Sequence, residues 1–142
     1  MAQSRIDSAR AAEPVGPYPH ARRVGNLLFL SGVGPRTRGA PKGEIPGVTF
    51  DAAGNVTSYD IETQMRSCFE NVRLVLEEAG SSWDKIVDVT SFLTNMKKDF
   101  GPYNRVYGEF FPAGSNQPAR TTVEIGALPT PIAFEVKVIA TV

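Results

Sequence analysis

"NQPARTTVEIGALPTPIAFEVKVIATV", residues 116–142, closes the chain, and how it pairs decides the fold. Apolar residues recur on both sides of "ALPTP": Val123 and Ile125 before it, Ile132, Phe134, Val136, Val138 and Ile139 after it. The alternation predicts two strands joined as a terminal hairpin. In the second strand Phe134, Val136, Val138 and Ala140 share one face, and Glu135, Lys137 and Ile139 share the other. Two residues sit oddly in such a hairpin. Arg120 opens the first strand, and Glu135 interrupts the second. A turn near Leu128–Pro129 puts Glu135 opposite Thr122, with Arg120 as its diagonal neighbour on the same face. That register holds only if the turn does not slip by one residue. The pair then reads either as a cross-strand ion pair worth about a kcal/mol or less or as a site. An arginine fork matches a carboxylate two-on-two, and a carboxylate beside it can move protons.

The segments upstream supply the rest of a two-layer domain. Ala21 to Val33, "ARRVGNLLFLSGV", reads as a hairpin turning at Gly25-Asn26. Residues 34–56 are rich in glycine and proline and read as a long inserted loop, with "VTFDAAGNV" as a small excursion hairpin within it. Asp60 to Ala79 carries apolar residues at three-and-four spacing, from Ile61 through Met65, Cys68, Phe69, Val72 and Val75 to Leu76. This predicts a helix capped by Thr57 or Asp60 and closed by Gly80. Lys85 to Asn95 reads as a β-branched strand. Asp99 to Phe111 reads as a second helix with Pro102 in its first turn and Pro112 at its stop. Residues 1–13 have no pattern and read as a flexible N-terminus.

The order β-β-α-β-α-β-β predicts one α+β domain over residues 1–142, a mixed sheet with both helices on one face. The second sheet face also carries apolar side chains. Self-association is its natural cover.

Lys+Arg and Asp+Glu are both 15 in 142 residues, giving a formal net charge of +0. That balance argues against a nucleic-acid binder, which neutralises phosphates with excess cations, and against a polybasic membrane anchor. No apolar run is long enough to span a bilayer. One cysteine, Cys68, permits no intrachain disulfide. With no secretory signal pattern, the expected location is cytoplasmic. One His and one Cys are too few soft ligands for a zinc or iron site. No Walker A, G-x-G-x-x-G or G-x-S-x-G pattern occurs, so neither metal nor cofactor is expected. Cys68, on the apolar stripe of its helix, reads as core, and His20 as a structural or surface residue.

Five stretches occur in a telling order: "GPY" at 16–18, "LFLSG" at 28–32, "NVRLVLEEAG" at 71–80, "VYGEFFP" at 106–112 and "PARTTVE" at 118–124. Their sequence and spacing, with one glutamate in the last strand, resemble the RidA (YjgF/YER057c/UK114) family of enamine and imine deaminases. The likeness runs from about Pro14 to the end. It implies a chorismate-mutase-like fold, assembled as a homotrimeric barrel with active sites between subunits. It implies that Arg120 holds the substrate carboxylate and that Glu135 activates water. It implies that Tyr18, Ser31, Gly32, Asn104, Tyr107 and Thr122 line the pocket. Where relatives often carry cysteine or serine, this chain has Thr122.

The implied reaction converts reactive enamine or imine carboxylates to 2-keto acids and ammonia without a cofactor. The 34–56 loop, bearing Arg36, Arg38 and Lys42, departs from the shortest relatives. It reads as a solvated loop or as a lid that brings Arg36 to a second substrate carboxylate. The latter would suit the 2-aminomuconate deaminase subgroup, which acts in aromatic-compound degradation. The rival readings are a non-catalytic trimeric protein that binds small carboxylates such as 2-keto acids, a chorismate-mutase-type catalyst and an RNA-directed activity. Glu135 weighs against the first, because a bare carboxylate would repel the ligand. Fold analogy is all that favours the second, and the neutral charge weighs against the third.

Overall fold

The computed structural model describes residues 3–41 and 43–142. Its elements run β1 (Gln3–Ile6), β2 (Ala21–Val24), β3 (Leu27–Leu30), β4 (Val48–Phe50), β5 (Val56–Tyr59), α1 (Ile61–Glu78), β6 (Ile86–Leu93), α2 (Met96–Phe110), β7 (Ala119–Glu124) and β8 (Phe134–Thr141). A single 3-10 turn at Trp83–Lys85 precedes β6. Six strands form one mixed sheet in the order β1-β2-β3-β8-β6-β7, and β4-β5 is the predicted excursion hairpin. The fold is α+β, with both helices on one face of the sheet.

The local signals for α1 act as read. Asp60 accepts from the backbone N–H of Glu62 and the hydroxyl of Thr63. At the other end Gly80 sits at φ +81°. There Ser81 N–H bonds Leu76 O at 2.8 Å and Gly80 N–H bonds Glu77 O at 3.1 Å, closing a Schellman turn. The stripe of α1 is buried, and Phe69 is its anchor. Its ring packs edge-on against Trp83, Phe110, Phe111 and Phe134 at centroid distances of 4.7 to 6.1 Å. Burial of one such side chain stabilises by about 2–3 kcal/mol. Cys68 is likewise fully buried.

Three expectations need correction. Helix α2 starts at Met96 rather than Asp99, because the Asn95 side chain caps it by accepting from Lys98 N–H at 3.1 Å. Pro102 therefore lies inside the helix, where it leaves one carbonyl of the ladder without its usual donor. Residues 3–13 are not a loose tail; residues 1 and 2 lie outside the described residues. β1 pairs antiparallel with β2, and Ala11 and Ala12 are buried against the body of the protein.

The third correction bears on the site. β7 and β8 form no hairpin. β6 lies between them, parallel to β7 and antiparallel to β8. The β6-α2-β7 stretch is a crossover unit, which demands parallel pairing. The connection after β7 must then step across two strand spacings, roughly 10 Å, which no tight turn spans. It is tied down on the way by Ile125 N–H to Leu93 O and Thr94 N–H to Ala133 O.

With β6 interposed, the alternation sorts cleanly. Leu28, Leu30, Val89, Leu93, Phe134, Val136, Val138 and Ala140 face the helices and are at most 1 % exposed. Phe92, Glu135, Lys137 and Ile139 face the other way. Around them Leu27, Phe29 and Val87 are exposed apolar residues.

Candidate active site

Glu135 pairs with Phe92 across β6, and Phe92 in turn pairs with Val123 on β7. Arg120 pairs with Val89, which pairs with Val138. Glu135 and Val138 are an odd number of residues apart, so their side chains leave opposite faces of the sheet. Arg120 and Glu135 are therefore not diagonal neighbours within one chain. They belong to two separate clusters.

The first cluster surrounds Glu135. It is an open cleft of about 340 Å³ lined by Tyr18, Ser31, Gly32, Arg36, Glu135 and the Pro129–Thr130 turn, among others. Residues 31–34 run beside β8 because Val33 and Val136 exchange backbone hydrogen bonds of 2.8 and 3.0 Å. Ser31 is fixed by its N–H to His20 O at 3.0 Å and its hydroxyl to Pro19 O at 2.7 Å. The Tyr18 hydroxyl accepts from Val15 N–H at 3.2 Å, which leaves its own proton to offer to the cleft. Gly32 lies so close that a Cβ there would stand 2.2 Å from Oε1 of Glu135. Any larger side chain there would push the carboxylate out of its present position.

Glu135 is half-buried, and among the described residues no donor bonds its carboxylate. Burial raises its pKa above the ordinary value, while the positive charge of Arg36 pulls it back down. A carboxylate so placed can take a proton at neutral pH.

The second cluster lies on the helix side, at the β7 edge of the sheet. Arg120 Nη1 donates to Asn104 Oδ1 at 2.7 Å. Its guanidinium carbon lies 4.7 Å from the ring centre of Tyr107 and 5.2 Å from that of Tyr103. The rest of the fork is exposed and free to grip a carboxylate. Tyr107 is buried beneath it. Its hydroxyl has no hydrogen-bond partner among the described residues, and burial pushes its pKa up to about 12. Thr122 Oγ1 lies 2.9 Å from the hydroxyl of Tyr103.

The structure thus gathers Tyr18, Ser31, Gly32 and Arg36 around Glu135, and Asn104, Tyr107 and Thr122 around Arg120. Arg38 does not reach the cleft. It donates to the carbonyls of Ala11 and Ser8 at 2.7 Å each and pairs with Glu13 at 3.2 Å. Lys42 lies outside the described residues. His20 is structural: Nδ1 accepts from Ser8 N–H at 2.9 Å, and Nε2 lies 2.8 Å from Ala12 O. Among the described residues no group of three metal-ligating side chains occurs, and no helix is long and apolar enough to cross a membrane. Sequence reading missed Tyr103 and its partner Ser91. A fully buried tyrosine in a helical stripe looks like core, and only its need for a hydroxyl partner hints otherwise.

Comparison with known proteins agrees with the architecture. A family model described as Endoribonuclease L-PSP matches residues 8–142. A RutC family protein of Pyrococcus abyssi is 36% identical over 140 residues, covering 99% of this chain and 98% of the relative. Reactive Intermediate Deaminase A, chloroplastic, of Arabidopsis thaliana is 32% identical over 136 residues, covering 96% of this chain and 64% of the relative. The crystal structure of E. coli TdcF with bound serine superposes with a TM-score of 0.81 at 31% identity, covering 98% of each chain. The chain belongs to the RidA (YjgF/RutC, Endoribonuclease L-PSP) family.

Proposed function

We propose that this protein is a cofactor-independent deaminase that hydrolyses enamine or imine carboxylates to 2-keto acids and ammonia. One observation carries the reading. The chain holds a cleft with a half-buried carboxylate whose pKa is raised and, separately, an arginine fork stacked on two tyrosines. These are the two parts an imino-acid hydrolase needs: a base for water and a grip for the carboxylate. The likeness to a Reactive Intermediate Deaminase supports the same chemistry.

The two parts lie on opposite faces of one sheet, so a single chain cannot close both on one small substrate. A working site takes the Arg120 cluster of one copy and the Glu135 cleft of another. Such a contact joins two different surfaces, so it is heterologous, and a rotation that closes turns it into a ring. A homotrimer satisfies this and covers the exposed apolar face around Leu27, Phe29 and Val87.

In this site Arg120 fixes the substrate carboxylate, with Asn104, Tyr107 and Thr122 shaping its surroundings. The enamine tautomerises to an imine. Glu135 takes a proton from water as the water oxygen bonds to the imine carbon, and passes that proton to the imine nitrogen to give the carbinolamine. Ionised again, Glu135 takes the hydroxyl proton and delivers it to the amino group. The C–N bond breaks, ammonia leaves, and the 2-keto acid remains. Tyr18, Ser31 and the backbone at Gly32 orient the reacting end.

Arg36 adds a cation to the Glu135 cleft, well placed for a second carboxylate at the far end of a longer substrate. A dicarboxylic enamine such as 2-aminomuconate meets that description. The test is a coupled assay of 2-iminobutyrate and 2-aminomuconate hydrolysis. Wild type should turn over both, Arg120→Ala and Glu135→Gln neither. Arg36→Ala should lose the dicarboxylate selectively. Equal turnover of the dicarboxylate by wild type and Arg36→Ala overturns the specificity, and an inert wild type overturns the deaminase reading.

A further inference from the structure

We propose that Tyr103 is a positioning residue: it holds Arg120 and Thr122, and with them the carboxylate-binding edge strand, in the geometry that grips substrate. The inference rests on the deaminase reading above, because it deepens the role of the Arg120 cluster. Tyr103 has no exposed surface and is among the largest fully buried side chains. Its hydroxyl donates to Ser91 Oγ on β6 at 2.7 Å and lies 2.9 Å from Thr122 Oγ1 on β7. Ser91 and Thr122 are direct partners in the parallel β6-β7 register. The tyrosine has one proton, which goes to Ser91, so Thr122 is the donor in the second bond. One hydroxyl thus ties both strands to α2 at a single level of the sheet.

The same ring supports the guanidinium of Arg120, two residues back on β7, at 5.2 Å from its centroid. Arg120 and Thr122 share a face, and Tyr103 touches both. This matters because β7 is an edge strand, paired only with β6 among the described strands. Such a strand twists and frays more readily than a central one. An arginine meant to grip a small carboxylate two-on-two loses much of its value if its strand wanders by an ångström. Asn104 and Tyr107, the neighbours of Tyr103 on α2, bracket the same guanidinium. The helix therefore presents three contacts to one strand edge, from Tyr103, Asn104 and Tyr107, and Tyr103 is the one that also bonds a second β7 residue, Thr122.

The test is Tyr103→Phe, which keeps the ring and deletes the hydroxyl. Tyr59→Phe is the control. It removes a part-buried hydroxyl bond to Asp99, at 2.6 Å, between two residues that belong to neither cluster. Binding of 2-ketobutyrate is measured by calorimetry, and hydrolysis of 2-iminobutyrate as KM and kcat separately. Tyr103→Phe should weaken binding and raise KM by about tenfold, with kcat changed less than threefold. Tyr59→Phe should lose comparable thermal stability and bind as wild type does. Thr122→Val should mimic Tyr103→Phe, and the two changes together should cost no more than either alone. Unchanged binding in Tyr103→Phe, or equal weakening in Tyr59→Phe, overturns the inference while leaving the deaminase reading intact. A wild-type protein that binds no keto acid overturns both.

Discussion

Gly32→Ala isolates Glu135 without touching it. The added Cβ would stand 2.2 Å from Oε1 of Glu135, 3.2 Å from Cδ and 3.7 Å from Cγ. Non-bonded heavy atoms rest near 3.5 Å, so the carboxylate must retreat by about 1.3 Å. The clash is with the far end of a flexible side chain that opens onto a cleft. The folding cost therefore belongs at the low end of the overpacking range, about 1 kcal/mol. The catalytic cost should be larger, because a displacement of about 1 Å at a reacting group costs on the order of a hundredfold in rate. The assay is hydrolysis of 2-iminobutyrate with a thermal melt alongside. The expectation is a kcat reduced by about two orders of magnitude and a Tm lowered by only a few degrees. Glu135→Gln added to Gly32→Ala should cost little more, since both act on one carboxylate. A Gly32→Ala enzyme with wild-type kcat would refute the reasoning.

Further outcomes follow from the same geometry. Burial raises the pKa of Glu135, so activity should fall on the acid side of the kcat/KM profile as the base is protonated; Arg36→Ala removes the opposing positive charge and should move that limb to higher pH. A raised carboxyl pKa favours the folded state at low pH and is a liability once pH exceeds it. Glu135→Gln should therefore be more stable than wild type at neutral pH, by a margin that shrinks toward pH 4 in pH-resolved melts. Arg120→Lys keeps a charge but loses the fork, and should weaken 2-ketobutyrate binding by about tenfold or more in calorimetry with little change in Tm. Arg38→Ala frees the carbonyls of Ala11 and Ser8 and should cost about 1–3 kcal/mol in denaturant melts while leaving KM unchanged.

Much of this architecture can be read from the chain itself. The caps and stripe of α1, the first hairpin and the alternation in β8 are local signals, and each element forms where its pattern says. What the chain does not announce is partnership. The alternation in β7 and β8 is the same whether they pair with each other or with β6, so a hairpin and a crossover look alike. The order is set by the requirement that β6-α2-β7 run parallel. That interposed strand separates Arg120 from Glu135. The site residues were legible as types, a fork and a base, but not as two clusters on two faces. The N-terminal segment was illegible for a different reason. Its anchors are distant side chains, Arg38, Asn71 and Glu78, bonding its backbone, and they leave no periodic trace in residues 3–13.

The central claim is that the Arg120 cluster of one copy completes the Glu135 cleft of another. Mixing two inert variants, Arg120→Ala and Glu135→Gln, tests it directly. After co-refolding in equal amounts, an intact site forms wherever the Glu135→Gln chain supplies Arg120 and the Arg120→Ala chain supplies Glu135. Random assembly into rings gives this at roughly one contact in four. The account predicts recovery of about a quarter of wild-type hydrolysis from partners that each show almost none. No recovery, from mixed oligomers shown by mass spectrometry to contain both chains, would contradict it.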